Sequence, residues 1–481
     1  VSVIGLVFLV FAIISGGWVA ESPTWAPFFD FTGVQLTWML VGYGFVAAVL
    51  PVWLLLAPRD YLSTFLKIGT IVGLAIGILI MRPTLTMPAL TKFIDGTGPV
   101  WTGNLFPFLF ITIACGAVSG FHALIASGTT PKMLANENQA CLIGYGGMLM
   151  ESFVAIMALV SACIIDPGVY FAMNSPMAVL APAGTVDVVA SAAQVVSGWG
   201  FTITPETLTH IANEVGEQSI ISRAGGAPTL AVGMAYILHG ALGGLMDVSF
   251  WYHFAILFEA LFILTAVDAG TRAARFMLQD LLGVISPNLK RTDSLPANLL
   301  ATALCVLAWG YFLHQGVVDP LGGINTLWPL FGIANQMLAG MALMLCAVVL
   351  FKMKRQRYAW VALVPTAWLL ICTLTAGWQK SFSTDTKVGF LAIANKFQAM
   401  IDSGKIPAQY TESQLSQLVF NNRLDAGLTI FFMVVVVVLA LYSLKTALAA
   451  LKVDKPTAKE TPYEPMPENL DEIVTQAKGA H

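Results

Sequence analysis

Stretches of about twenty apolar residues recur along the whole chain, the length a helix needs to cross the hydrocarbon core of a bilayer. They fall near 2–19, 34–56, 63–81, 105–127, 142–164, 229–246, 249–267, 297–314, 328–351, 359–378 and 426–448. Only 11% of the 481 residues are charged and 57% are hydrophobic, against about 25% charged in a soluble domain. The charges collect between the apolar runs. The expected fold class is an all-α polytopic membrane protein with about eleven transmembrane segments. Residues 1–451 read as one helical transmembrane domain. Residues 452–481, rich in Pro, Glu and Lys, read as a disordered cytoplasmic C-terminal tail that buries too little apolar area to fold. The net charge of −3 sits in loops, and no basic patch suits nucleic acid.

The chain opens on an apolar run with no initiator methionine and no basic leader. A signal peptide has a positive segment before its apolar core. The expectation is a chain that starts inside a longer protein, with its own N-terminal helices missing. Lysine and arginine in short loops set orientation. "FKMKRQRY" (351–358) is expected on the cytoplasmic side, as are "TRAARF" and "LKRTD" within 271–293. Counting forward then leaves one of the segments 229–246 and 249–267 as something other than a simple span. The stretches 165–228 and 379–425 read as short surface helices or lids.

The six cysteines lie in or beside apolar runs, with no C-x-x-C spacing. That argues for packing roles and against a disulfide framework or a metal site.

The stretch "GAVSGFHALIASGTTPKML" (116–134) spoils an apolar helix with glycines, hydroxyls, a histidine and a proline. On a continuous helix Thr112, Cys115, Ser119 and His122 share one face. Gly116 and Gly120 are four apart, a spacing that lets a second helix approach closely. Ser127, Gly128, Thr129, Thr130 and Pro131 loosen or end the helix. Irregular backbone at membrane depth survives only where it is buried in protein or lines a wet cavity. Ser119, His122, Ser127, Thr129 and Thr130 are therefore candidate substrate residues, although Thr129 onward can equally be the start of a loop.

Glu151 lies in the next span, on a stripe with Gly144, Gly147, Ala155, Ala158 and Ala162. A carboxylate at that depth is costly, so it is expected to face the protein interior and to carry a coupling proton, or else to be pinned by a partner. Glu259 shares a face with Tyr252, Ala255, Phe262 and Ala266 and is a second acidic candidate. Asp268 and Arg272, four apart, read as an ion pair at a helix end or a gate. Asn335 and Gln336 are two adjacent amides in an apolar run, costly unless bonded. They either line the cavity or bond a neighbouring helix.

"SGFHALIASGTTPKML", "IGYGGMLMESFVAIMAL", "FEALFILTAVDAGTRAARF" and "LWPLFGIANQMLAGMAL" resemble the signatures of the carbon starvation protein A family, and the similarity runs along the whole chain. The resemblance implies an inner-membrane secondary transporter with inverted repeats and broken helices, made under carbon limitation. It implies peptide uptake coupled to protons, or in related members proton-coupled pyruvate uptake. It implies no cofactor, and as partners a small-molecule substrate, a proton and the bilayer. A remote alternative, from Ser119 and His122 alone, is an intramembrane hydrolase, but two such residues three apart on one helix suit nucleophilic attack poorly.

Overall fold

The structure, a computed structural model, describes residues 2–134, 136–182, 184–319, 323–407 and 410–458. Among them there is no strand. Helices of eight residues or more are α1 (Ser2–Glu21), α2 (Gly33–Val49), α3 (Leu56–Met81), α4 (Leu105–Ile113), α5 (Gly120–Gly128), α6 (Gln139–Cys163), α7 (Pro167–Asn174) and α8 (Val188–Gly198). They continue with α9 (Pro205–Glu214), α10 (Gly226–Ala241), α11 (Val248–Leu282), α12 (Leu295–Val318), α13 (Gly323–Lys352), α14 (Trp360–Phe382), α15 (Phe390–Asp402) and α16 (Glu412–Leu451).

Eight of these helices are long and apolar enough to cross a membrane: α1, α3, α6, α11, α12, α13, α14 and α16. The chain is a multi-pass membrane protein. Each of the eleven apolar runs is helical, and three of them form shorter pieces. The run at 34–56 is the 17-residue α2, the run at 105–127 is split into α4 and α5, and the run at 229–246 is the 16-residue α10. At 1.5 Å per residue α10 reaches about 24 Å, short of an about 30 Å hydrocarbon core. Its neighbour α11 has 35 residues. So the segment at 229–246 is the one that departs from a simple span.

Helix α10 is buried nearly all round. Ala231, Val232, Met234, Ala235 and Ile237 have no exposed surface, and they pack with Val169 of α7, Val196 of α8, Leu208 of α9 and Tyr252 of α11 in one core. Side chains start these short helices. Asp166 accepts the N–H of Gly168 (2.8 Å), Asp187 that of Ala190 (2.9 Å) and Thr204 that of Thr207 (3.3 Å). The helices in 165–228 are thus core-forming, which corrects the expectation of surface helices or lids. A second small core joins α15 to the start of α16 through Phe397, Leu415, Leu418 and Val419.

The "TRAAR" charges do not lie in a loop. Arg272 and Arg275 are inside α11 and buried. A helix leaves its last four carbonyls unbonded, and these arginines serve the C-terminus of α2: Arg272 donates to Ala47 O (2.7 Å) and Leu50 O (2.8 Å), and Arg275 to Ala48 O (2.8 Å). The weight of these two arginines as topological markers therefore disappears, and the exposed Lys290 and Arg291 between α11 and α12, with residues 351–358, remain as the basic markers. That turn lies beside the end of α16, where Lys354 Nζ donates to Ala450 O (2.8 Å). The N–H of Thr457 donates to Lys352 O (3.0 Å). Of the expected tail, Lys452 to Ala458 is described, and 459–481 lies outside the described residues. We expect a cysteine placed at exposed Gln356, with Cys141 and Cys346 replaced by serine, to react with a membrane-impermeant maleimide only after the cytoplasmic face is opened. Labelling of intact cells would reverse the orientation.

Candidate functional site

The helix that starts at Leu105 breaks inside its apolar run. Regular hydrogen bonding ends at Ile113, Ala114–Gly116 forms a 3₁₀ turn, and the chain is irregular to Ser119 before α5 begins. Ser119 is the N-cap of α5: its Oγ accepts the His122 backbone N–H (3.0 Å). After Gly128 the chain turns again through Thr130–Lys132. The irregular stretch thus runs from Ala114 to Ser119, with a second turn where Pro131 placed it. The single polar face expected for a continuous helix does not exist. Cys115 and Ser119 still meet, because the turn folds the Cys115 Sγ back to within 2.8 Å of the Ser119 Oγ.

Helix α13 holds the break open. Freed backbone groups at membrane depth need new partners. Asn335 supplies two of them: its Oδ1 accepts the Phe121 N–H (2.8 Å), and its Nδ2 donates to Val118 O (3.4 Å). Gln336 Nε2 donates to Phe110 O on the other half. The adjacent amides are therefore bonds to a neighbouring helix, one on each side of the gap. Two glycines make the approach possible. A Cβ on Gly120 would overlap the Asn335 carbonyl oxygen, and one on Gly332 would overlap that of Ile111. Gly116, the other member of the expected pair, meets only its own Ile113.

Glu151 reaches the same place from α6. The thiol of Cys115, the imidazole of His122 and the carboxylate of Glu151 each bring a polar atom to within 4.8 Å of the others. These are ligand types that zinc accepts, and they are the residues here that can hold a divalent ion. Cysteine spacing alone pointed to no metal site, since Glu151 arrives from a separate helix. The Cys115 thiol donates a hydrogen bond to the Ser119 Oγ, and the trio as it stands is a polar cluster beside the break. The small-residue stripe does not orient Glu151. Gly144 and Gly147 meet nothing within 4 Å, because α6 packs through its second half, where Ser161 lies against Gly233 of α10.

The other candidates go elsewhere. Ser127 Oγ donates to Leu124 O of its own helix (3.1 Å). Thr129 is buried and its Oγ1 has no partner among the described residues, while Thr130 opens the second turn. Glu259 is half-buried on α11 and makes no ion pair among the described residues. Asp268 and Arg272 do not pair. Asp268 bonds Arg59 of α3 and the Tyr43 hydroxyl of α2 (2.9 Å), and Arg272 caps α2. The Asp268–Arg59 pair extends through Asp60 (2.8 Å from Arg59), Thr265 and Lys67, whose Nζ donates to Thr265 Oγ1 (2.6 Å). Arg59, Asp60 and Lys67 were missed because the third apolar run starts after them or, for Lys67, tolerates one cation. Ser119 and His122 are joined through a backbone N–H, not through the imidazole, so they form no nucleophile–base pair.

A further residue escaped the sequence. Lys380, near the end of α14, is 6% exposed. It lines a cavity of about 530 Å³ with Trp101, Thr112, Trp328, Phe390 and Asn422. Thr112 belongs to the last turn before the break, so the cavity adjoins it. The cavity lies at the opposite end of the α13–α14 hairpin from residues 353–359. A single lysine near a helix end reads as a loop charge, which is why it went unremarked.

The sequence that forms this site matches a known family. The family model described as "Carbon starvation protein CstA" covers residues 1–376. The chain belongs to that family. It is 94% identical over 470 residues to the Escherichia coli K12 protein named "Peptide transporter CstA", covering 98% of this chain and 67% of that one. It is 58% identical to "Pyruvate/proton symporter BtsT" of the same organism, covering 97% of this chain and 68% of the relative. A "Peptide transporter CstA" of Helicobacter pylori 26695 is 51% identical over 96% of this chain and 67% of its own length. No solved structure matches.

Proposed function

We propose that the chain is the larger part of an inner-membrane secondary transporter that takes up peptides with a coupling proton, and that it performs no catalysis. The observation that carries this is the helix interrupted between Ile113 and Gly120, bridged by Asn335 and Gln336 and faced by Glu151. An interruption of this kind inside an apolar run is the device by which many secondary carriers build a substrate site. Glu151, His122 and Cys115 place a protonatable cluster against it. The peptide assignment rests on the names of relatives from 51 to 94% identical. The 58% identical pyruvate symporter supports a second reading, proton-coupled pyruvate uptake, through the same site. The tail and the 351–358 turn face the cytoplasm in this account.

The test is uptake by the full-length protein in proteoliposomes. Labelled dialanine and labelled pyruvate are offered with and without a proton gradient. Accumulation of dialanine only with the gradient is the expected result. Accumulation of pyruvate alone gives the second reading, and accumulation of neither removes both.

A further inference from the structure

We infer that Lys380 is the anion-binding residue of the transport site and holds the carboxylate that peptides and pyruvate have in common. This rests on the transport reading above and names what that reading leaves open, the group that is recognised.

Lys380 is an ammonium buried to 6% exposure without an ion pair among the described residues. Its neighbours are three aromatic faces. The Nζ lies 5.0 Å from the ring centre of Trp101, 5.3 Å from that of Phe108 and 5.8 Å from that of Phe390. Aromatic faces offset part of the loss of water around a cation, but they do not replace hydrogen-bond acceptors. An ammonium carries three donors and no acceptor. Asp385, five residues on, is the nearest acid and acts on the ammonium only through space: it forms no ion pair with it, is exposed, and its carboxylate accepts the N–H of Lys387 (2.8 Å). The indole Nε1 of Trp101 is also buried with no acceptor. A buried indole N–H without an acceptor and an ammonium with no ion pair among the described residues thus stand at one cavity.

Among the described residues no aspartate or glutamate lines that cavity. It therefore suits the negative end of a ligand and not an ammonium end. A buried cation without a counter-charge is costly, and a purely structural lysine would be expected to pair with an acid. A ligand carboxylate brings both the counter-charge and the acceptors. The aromatic walls set by Trp101, Trp328 and Phe390 bury a short aliphatic body. Pyruvate and a dipeptide both present a carboxylate on a small apolar frame, so one site can take either. The cavity's contact with Thr112 places that carboxylate next to the broken helix.

The test uses full-length protein in proteoliposomes, with labelled dialanine and four competitors: dialanine, dialaninamide, pyruvate and methyl pyruvate. In the wild type the two carboxylates are expected to compete, and the amide and ester to compete at least ten-fold more weakly. Lys380→Met is expected to weaken dialanine by about ten- to hundred-fold, the range for losing a charged hydrogen bond, with dialaninamide unchanged. Lys380→Arg should recover part of the preference, since it keeps the charge. Wild-type protein that takes dialaninamide as readily as dialanine overturns the inference without any variant. So does a Lys380→Met protein that still prefers the carboxylate. A wild type that accumulates neither dialanine nor pyruvate overturns the transport reading itself.

Discussion

Gly120→Val is expected to remove most of the folded protein from the membrane, and Gly116→Ala to leave it intact. The two glycines look equivalent in the sequence, four apart in one apolar stretch. In the structure a Cβ on Gly120 would fall on the Asn335 carbonyl oxygen, 2.7 Å from Leu338 Cβ and 2.8 Å from the Ala339 nitrogen. Two of those atoms are backbone of α13, so neither can turn away as a side-chain end can. Valine adds two methyl groups to that overlap. Overpacking costs about 1–3 kcal/mol in ordinary cores and more where backbone must move, so about 3 kcal/mol is a lower bound here. Displacing α13 also pulls Asn335 from the Phe121 N–H and the Val118 carbonyl, leaving both unbonded at depth. Gly116 has only the Ile113 side chain nearby, at 3.3 Å. The check is the amount and thermal stability of detergent-extracted protein, with Gly147→Ala as a second neutral control because a Cβ there would meet no neighbouring element within 4 Å among the described residues.

The fold class was legible because span length is a one-dimensional property. Every apolar run became helix, and the weak member at 229–246 became a 16-residue one. Loop charges were less informative. Arg272 and Arg275 read as loop markers, yet each spends its guanidinium on the carbonyls closing α2. No local pattern separates those two uses of arginine. The same limit explains Asp268. Its spacing to Arg272 is that of a helix pair, but its partners Arg59 and Tyr43 lie more than two hundred residues away in sequence.

At the site, the sequence pointed to the break through its glycines, and to Asn335 and Gln336 through the cost of burying amides. What each amide bonds is a tertiary fact, settled by Gly332 and Gly120 letting α13 approach. Cys115 and His122 were named together as one polar face and Glu151 separately, and only the packing of α6 brings the carboxylate within 4.8 Å of the other two. Lys380 left no signal, since its meaning lies in the aromatic rings of Trp101, Phe108 and Phe390 around it.

Glu151→Gln is expected to abolish proton-driven accumulation while leaving exchange intact. Glutamine keeps the shape and the hydrogen-bonding reach of the side chain and removes the titratable proton. With one proton per substrate, a pH difference of one unit is worth about 1.4 kcal/mol and sustains an about tenfold gradient. A carrier that cannot take up that proton still exchanges substrate across the membrane, because exchange needs only the loaded forms. Were Glu151 a pinned structural charge instead, the same change would strand its partner and lower the amount of folded protein. The deciding measurement is therefore labelled dialanine in proteoliposomes of full-length Glu151→Gln protein, with a pH difference of one unit and, separately, with unlabelled dialanine inside and no gradient. The account predicts an accumulation ratio near unity in the first case and counterflow close to wild type in the second. Retained accumulation near tenfold contradicts it and moves the coupling role to Glu259.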